Sequence, residues 1–209
     1  MKKCIVSIIA LAFVCQQSFS QKIPLIYNNS NAKKGTISLV KGDASCLKTA
    51  GRTFLVRVDF SEAQVVNFDK QFNIEKRSGS VAKYNKDHGE DYVKNWDENL
   101  YVLESSLCKK MNGAFKPEFK MQGDPLKADY LFLVRVGLFD FGHFVFLGTL
   151  EDGGTITKGL VEVYDVKKES LVAVFDVNYL RGKNVGYGNN DRFREYGIEF
   201  AKAMKKAVK

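Results

Sequence analysis

The side chains of this chain that could carry acid–base chemistry are few. It has two histidines, His88 and His143, among 209 residues. His143 follows Gly142 in an aromatic segment and has Asp140 nearby, which gives a base and an orienting acid. A hydrolytic site also needs a nucleophile, and no serine or cysteine lies in a recognisable nucleophile turn. We therefore interpret His143 as a turn residue and expect no enzymatic activity.

The densest group of candidate metal ligands is Asp87, His88, Glu90 and Asp91. Carboxylate oxygens bind hard cations, and a histidine can add a nitrogen ligand. The spacing matches no defined metal-binding loop. Acids at the start of a helix also complement the positive end of its dipole. We prefer this second interpretation and expect neither a metal nor another cofactor.

A glycine-rich segment at residues 182–188 precedes the last predicted helix, where exposed amides could hold an anion with help from Lys183. The segment follows a strand that does not open a βαβ unit, and Asp191 would repel a phosphate. Neither a dinucleotide fingerprint nor a phosphate-loop lysine motif is present. A flexible connector is the preferred interpretation.

One segment is crowded with aromatic side chains, and its candidate site residues are Phe139, Phe141, His143, Phe144 and Phe146. If the chain turns at His143, some of these rings stand at the edge of the domain, where exposed aromatic groups mark a partner surface. Alternatively, the strand continues and the rings fill the core. The segment is the best candidate for a partner surface in the sequence.

The first twenty residues have the pattern of an export signal. Lys2 and Lys3 precede an apolar stretch that is too short to span a bilayer, and small residues at Ser18 and Ser20 suit a signal peptidase. The sequence therefore predicts a signal peptide over residues 1–20 and a periplasmic or extracellular protein. Lipid anchoring at Cys15 is disfavoured, because Val14 occupies the place of the small residue that acylation sites prefer.

Removal of the signal leaves Cys46 and Cys108, which either form a disulfide in an oxidising compartment or remain as two buried thiols. It also lowers the net charge from +8 to +6, since two lysines and no acids leave. This excess of positive charge could favour contact with acidic lipid, polysaccharide or nucleic acid. The positive charges cluster only at the C-terminus, with Lys202, Lys205, Lys206 and Lys209, and we interpret this cluster as a solvated helix end. We expect no nucleic-acid partner and no transmembrane segment in the mature chain.

Hydrophobic periodicity divides the mature chain into an irregular leader, residues 21–35, and one domain, residues 36–209. Strands are predicted at Thr36–Val40, Arg52–Phe60, Ala128–Phe141, Thr155–Val166 and Leu171–Leu180, with a long connection over 61–88. Helices are predicted at Glu90–Asn112 and near the C-terminus, where one face carries Phe193, Tyr196, Gly197, Phe200 and Met204. The expected fold is α+β, a two-layer sandwich of a mixed four- to five-stranded sheet with two main helices on one face.

Several short motifs follow one another in a characteristic order. They are Gly42-Asp43 with Leu47-Lys48, Val58-Asp59-Phe60-Ser61, the tryptophan helix, Lys127-Ala128-Asp129-Tyr130, Val163-Tyr164-Asp165, and a glycine loop before Arg192 and Tyr196. Together they resemble a group of small exported Bacteroidetes proteins of unknown function. The second half is more distantly similar to α/β domains of envelope lipoproteins related to the curli secretion channel. The resemblance covers about residues 41–200. It implies an α/β fold and an envelope location, and it transfers no catalytic residue.

These patterns lead to a functional hypothesis: an exported, non-enzymatic envelope protein that binds a protein or glycan partner. The alternative is a carrier of a small ligand or lipid, with a pocket between helices and sheet. A hydrolase that uses His143 or the Asp87–Asp91 cluster ranks third.

Overall fold

The structure, a computed structural model, describes residues 35–69, 74–80, 83, 96–140, 155–181 and 189–209. The predicted signal peptide and nearly all of the predicted leader lie outside this range and stay predictions. The described residues form eight strands and two helices, which in chain order are β1 (Thr36–Gly42), β2 (Thr53–Asp59), β3 (Gln64–Asp69), β4 (Ile74–Ser80), α1 (Trp96–Asn112), β5 (Glu118–Lys120), β6 (Tyr130–Asp140), β7 (Thr155–Asp165), β8 (Ser170–Arg181) and α2 (Asn189–Ala207).

The strands form one open mixed sheet with the order β1-β8-β7-β6-β2-β5, and β3 joins it by pairing with both β6 and β4. The pairs β1/β8, β8/β7, β7/β6 and β3/β4 are antiparallel. The pairs β2/β6, β2/β5 and β3/β6 are parallel. The predicted hairpin of β7 and β8 is confirmed, and the mixed character of the sheet is confirmed with it.

The predicted count of four to five strands is too low, because β3, β4 and β5 were missed. The strands β3 and β4 lie in the segment 61–88 that was interpreted as a connection. The sequence of β4, IEKRSGS, has one apolar residue, and β5 is three residues long. The strands β4 and β5 are held in the sheet by backbone hydrogen bonds to a neighbouring strand. Their side chains show little of the apolar alternation by which a strand is recognised in a sequence.

The strands β2 and β3 run one after the other along the same edge of β6. Thr53–Asp59 pairs with the first half of β6, and Gln64 and Val65 pair with Leu138 and Phe139. Residues 60–63 form a turn between them, closed by a 3.0 Å hydrogen bond from the Ala63 amide to the Phe60 carbonyl. This interruption places Glu62 beside the middle of β6.

One face of the sheet is apolar and carries the core. Alternate residues of the strands point to this face, as the two-residue period of a strand requires. Their side chains are between 0% and 5% exposed: Ile37, Phe54, Val56, Phe132, Val134, Val136, Val161, Val163, Ala173, Phe175 and Val177.

The two helices pack on each other and on this apolar face. The predicted apolar side of α2 is confirmed, since Phe193, Tyr196, Phe200 and Met204 are all at most 4% exposed. The fifth residue of that side, Gly197, lies against α1: a Cβ atom there would be 2.1 Å from Ser106 Oγ. The helices therefore cross at a contact that admits only a glycine.

The first helix is described from Trp96 and ends at Asn112, where the Asn112-Gly113 pair predicted its end. Its residues Leu103, Leu107 and Met111 are buried in the core. The predicted first turns of this helix, from Glu90, lie outside the described residues.

Candidate functional site

The face of the sheet that points away from the helices carries charged and polar side chains beside three buried apolar ones, Leu55, Leu160 and Val174. Because Phe132, Val134 and Val136 face the core, Arg135 faces the opposite side of β6. We call this surface the polar face and define it by seven residues: Glu62, Arg135, Lys158, Glu162, Tyr164, Asp176 and Asn178.

An ion-pair network forms one half of the polar face. Arg135 Nη1 donates to Glu162 Oε1 at 3.0 Å, and its Nη2 donates to Glu62 Oε2 at 2.9 Å. The Tyr164 hydroxyl donates to Glu162 Oε2 at 2.7 Å. Both carboxylate oxygens of Glu162 therefore have a partner, although its side chain is only 3% exposed.

The network runs from the interior to the surface of the molecule. The exposed fraction is 3% for the Glu162 side chain, 11% for Arg135 and 45% for Glu62. Burial acts to lower the pKa of Arg135, but the Glu162 and Glu62 carboxylates raise it above its usual value. Arg135 thus stays charged and fixed in orientation by two carboxylates from different elements.

The other half of the polar face contains a buried carboxyl group that is incompletely hydrogen-bonded. Lys158 Nζ donates to Asn178 Oδ1 at 2.9 Å. Asp176 is 1% exposed, and its Oδ2 has no hydrogen-bond partner among the residues that the structure describes. Burial raises the pKa of Asp176, and the positive charge of Lys158 opposes this rise. An unsatisfied buried carboxyl oxygen is rare in native proteins and calls for an explanation.

Strand register places these groups in one row across the sheet. Arg135 is opposite Leu160, and Leu160 is opposite Asp176. Asp176 is in turn opposite Ser38 of the edge strand β1. A single row therefore presents a cation, an apolar side chain and a carboxyl group at strand spacing, about 4.8 Å apart per step.

The donors of the polar face have acceptors within it: Arg135 donates to both glutamates, Tyr164 to Glu162 and Lys158 to Asn178. Among the described residues, one oxygen of the Asp176 carboxyl group has no donor. The Glu162 and Glu62 carboxylates form ion pairs with Arg135, so they fix the position of its positive charge and neither is available as a base. This arrangement suits recognition of a polar group better than proton transfer.

Of the predicted aromatic surface, the structure describes Phe139 alone. Phe139 is 2% exposed, and its ring centroid lies 5.2 Å from that of Phe60 and 5.9 Å from that of Phe193. It therefore packs in the core, where a partner does not reach it. The remaining residues, Phe141, His143, Phe144 and Phe146, lie outside the described residues, and the partner surface they would form stays a prediction.

The cysteines Cys46 and Cys108 are both free and buried in the structure. The structure thus has two buried thiols, which was one of the two alternatives, and not a disulfide. Burial raises the pKa of Cys46 to about 11 and that of Cys108 to about 12. Both thiols stay protonated at neutral pH, so neither has the reactivity of a thiolate.

Two other predicted sites, the Asp87–Asp91 cluster and the glycine-rich segment 182–188, lie outside the described residues. Within the residues that are described, no group of three or more histidine, cysteine, aspartate or glutamate side chains could hold a metal ion. Neither α1 nor α2 has the length and apolar character that a membrane-crossing helix needs.

The polar face was not predicted, although charged residues inside three apolar strands indicate it. Arg135 interrupts the apolar run 128–141, which was interpreted as a strand buried on both faces. Glu162 and Asp176 likewise interrupt two strands of the predicted hairpin. A charge inside a buried strand must find a partner or a function, so these three positions together could have indicated a polar face.

The fold defines the class of this protein as two helices packed on an open mixed sheet of eight strands, within the described residues. No family model matches the chain, and no curated protein matches it.

Solved structures that are weakly similar to it include the following three. Two are of PelC from Paraburkholderia phytofirmans, described as a dodecamer. The L103M variant is 11% identical with a TM-score of 0.40, and the other is 12% identical with a TM-score of 0.37. Each covers 82% of this chain and 97% of PelC. The third is a DUF4136 family protein from Bacteroides thetaiotaomicron, 7% identical with a TM-score of 0.33, which covers 85% of this chain and 100% of its own. Likeness at this level defines neither a family nor a function for this chain.

Proposed function

We propose that this protein is an exported, non-enzymatic module of the cell envelope that binds a protein or glycan partner through its polar face. The observation that carries the proposal is the network in which Arg135 joins Glu62 to Glu162. Export is supported by the signal pattern of residues 1–20, and binding is supported by the charged groups described above.

The network supports binding because its geometry is set before a partner arrives. Arg135 is held by β6, Glu162 by β7, and Glu62 by the turn between β2 and β3. Rigid elements therefore fix the charges, which reduces the entropy lost when a partner binds. Glu62, with 45% of its side chain exposed, is the member that a large partner reaches first.

Charge reversal at Glu62 tests this proposal. The tagged protein, its Glu62→Lys variant and a matched Glu118→Lys variant are crosslinked in the native envelope and captured, and bound molecules are identified by mass spectrometry. Glu118 is a fair control, because its side chain is 58% exposed and also forms an ion pair, with Lys120. We expect a dominant partner with the unchanged protein and with Glu118→Lys, and its loss with Glu62→Lys.

Equal capture by Glu62→Lys would contradict a role for the polar face. The variants Phe144→Asp and Phe146→Asp are captured in parallel. Loss of the partner with these two alone would assign the interaction to the aromatic segment. A broad substrate screen with His88→Gln and His143→Gln variants tests the non-enzymatic part, because a histidine-dependent activity would contradict it.

A second candidate function, a carrier of a small polar ligand, is favoured by Asp176. A free carboxyl oxygen on a side chain that is 1% exposed would be satisfied by a small molecule in the interior. Native mass spectrometry of the protein from its own cells should then show a bound mass that Asp176→Asn loses. The bare protein mass alone would count against this function.

A further inference from the structure

Five exposed lysines lie around the C-terminal end of α2, and we call them the basic patch: Lys48, Lys202, Lys205, Lys206 and Lys209. Lys48 ends the short 3-10 helix Ser45–Lys48, three of the others lie near the end of α2, and Lys209 follows two residues after its last residue, Ala207.

Lys202, Lys205 and Lys206 form a stripe along one side of α2, and Lys209 follows just beyond its end. Their spacing of three, four and seven residues from Lys202 places them on one helical face. The Val208 amide donates to the Met204 carbonyl at 3.1 Å, so the helical backbone bonding reaches almost to Lys209. The opposite side of this part of α2, with Met204 and Val208, is buried.

The fifth lysine, Lys48, is brought to this stripe by the fold. Lys48 Nζ donates to the Lys209 main-chain oxygen at 3.4 Å, which joins residues 161 positions apart in sequence. Stabilisation of the helix dipole explains lysines in the last turn of α2, but it does not explain Lys48, which lies on another element.

Two carboxylates lie near the patch and offset part of its charge. Asp43, whose pKa is lowered mainly by hydrogen bonds from Ser45, lies close enough to Lys48 to interact with it. Glu199 accepts from Lys202 at 2.7 Å. Five lysines exceed these two carboxylates, so the local field is positive.

An exposed apolar side chain lies on the strand that packs against α2. Leu39 of β1 pairs with Phe175, so it faces the helix side of the sheet, and it is 42% exposed. Cationic side chains with an adjacent apolar group suit the interface of an anionic bilayer, where lysines attract headgroups and an aliphatic side chain enters the acyl boundary.

We propose that the basic patch docks the exported protein on an anionic lipid surface. This inference does not depend on the proposed function, since the patch and the polar face share no residue. Several lysines at a membrane surface attract acidic lipid strongly, and the attraction falls as salt screens it.

Vesicle flotation tests the proposal with the chain from residue 21 onward, the predicted mature form. The probes are vesicles of phosphatidylcholine alone and of phosphatidylcholine with about a quarter phosphatidylglycerol. We expect binding only to the second, weakened when salt rises from about 50 mM to about 500 mM. Replacing Lys202, Lys205, Lys206 and Lys209 with glutamine should weaken it about tenfold or more.

A matched variant separates a local patch from overall charge. Lys109, Lys110, Lys116 and Lys120 are exposed, and two of them also lie in the last turn of a helix. Changing these four to glutamine gives the same net charge and should leave vesicle binding unchanged. Circular dichroism confirms that both variants are folded.

Three results would overturn the proposal. They are no binding to phosphatidylglycerol vesicles at low salt, equal loss in the two quadruple variants, and binding to alginate, an acidic polysaccharide, without binding to vesicles. Partner capture through Glu62 is measured separately, so failure here leaves the proposed function unaffected, and the reverse also holds.

Discussion

The two faces of the sheet are made by alternate residues of the same strands, yet they differ in chemistry. Val134 and Phe175 face the helices and are at most 1% exposed in a wholly apolar layer. Arg135 and Asp176, their neighbours in the chain, face the other way and carry charge. The apolar face stabilises the fold. The polar face retains a carboxyl oxygen that has no partner in the described part of the chain, which costs stability.

The largest effect is expected on the apolar face. Phe175→Ala removes a fully buried ring and should lower the free energy of unfolding by about 3–5 kcal/mol. Leu126→Ala, at a side chain that is 67% exposed, should change it by less than about 0.5 kcal/mol. Urea unfolding measures both. Similar losses for the two variants would break the assignment of this face to the core.

Nearly as large an effect is expected on the polar face, for an electrostatic reason. Arg135→Met leaves the Glu162 carboxylate, 3% exposed, without its cation and should destabilise the protein by about 3–5 kcal/mol. Adding Glu162→Gln removes the uncompensated charge, so the double variant should recover more than half of the loss. Chemical unfolding of the three proteins gives the comparison.

The control for that cycle is an exposed ion pair. Lys202→Met breaks the pair with Glu199, in which the Lys202 side chain is 51% exposed, and it should change stability by no more than about 1 kcal/mol. If Arg135→Met has no greater effect than Lys202→Met, the network is not a buried one.

A smaller effect is expected where the helices cross above the apolar face. A Cβ atom at Gly197 would lie 2.8 Å from the Leu103 carbonyl oxygen as well as 2.1 Å from Ser106 Oγ. Gly197→Ala should therefore lower the free energy of unfolding by about 1–3 kcal/mol. Gly113→Ala, whose Cβ atom would find no atom closer than 3.7 Å, should be tolerated. Differential scanning calorimetry of both tests the spacing of the helices.

Much of the apolar face could be predicted from the sequence, because its period is local. Phe54 and Val56 alternate along β2, and Phe193, Phe200 and Met204 recur at helical spacing in α2; all five are buried as expected. Such patterns depend only on residues a few positions apart. Five strands and two helices followed from them.

The polar face could not be assembled in this way. Glu62 and Arg135 are 73 positions apart in sequence, and they meet because β2 and β3 share one edge of β6. That edge includes β3, a strand that the sequence did not reveal. A long-range charge network thus depends on strand order and register, which local periodicity does not contain.

The pH dependence of stability distinguishes the two faces further. The pKa of Asp176 is raised in the folded protein by burial, so the folded state binds its proton more tightly than the unfolded state does. Its contribution to stability is fully present below the unfolded pKa and is lost as pH rises through the folded pKa. Asp176→Asn removes this loss, because the amide does not titrate.

The most direct test of the account is the free energy of unfolding of Asp176→Asn and of the unchanged protein, measured in urea at pH 4 to 8. Other titrating groups are common to both proteins and largely cancel in the difference. We predict that the variant is more stable by about 1–3 kcal/mol at the highest pH and that this advantage shrinks towards acid pH. A variant that is less stable than the unchanged protein at every pH would show that Asp176 is a satisfied structural group, and it would contradict a polar face kept for binding.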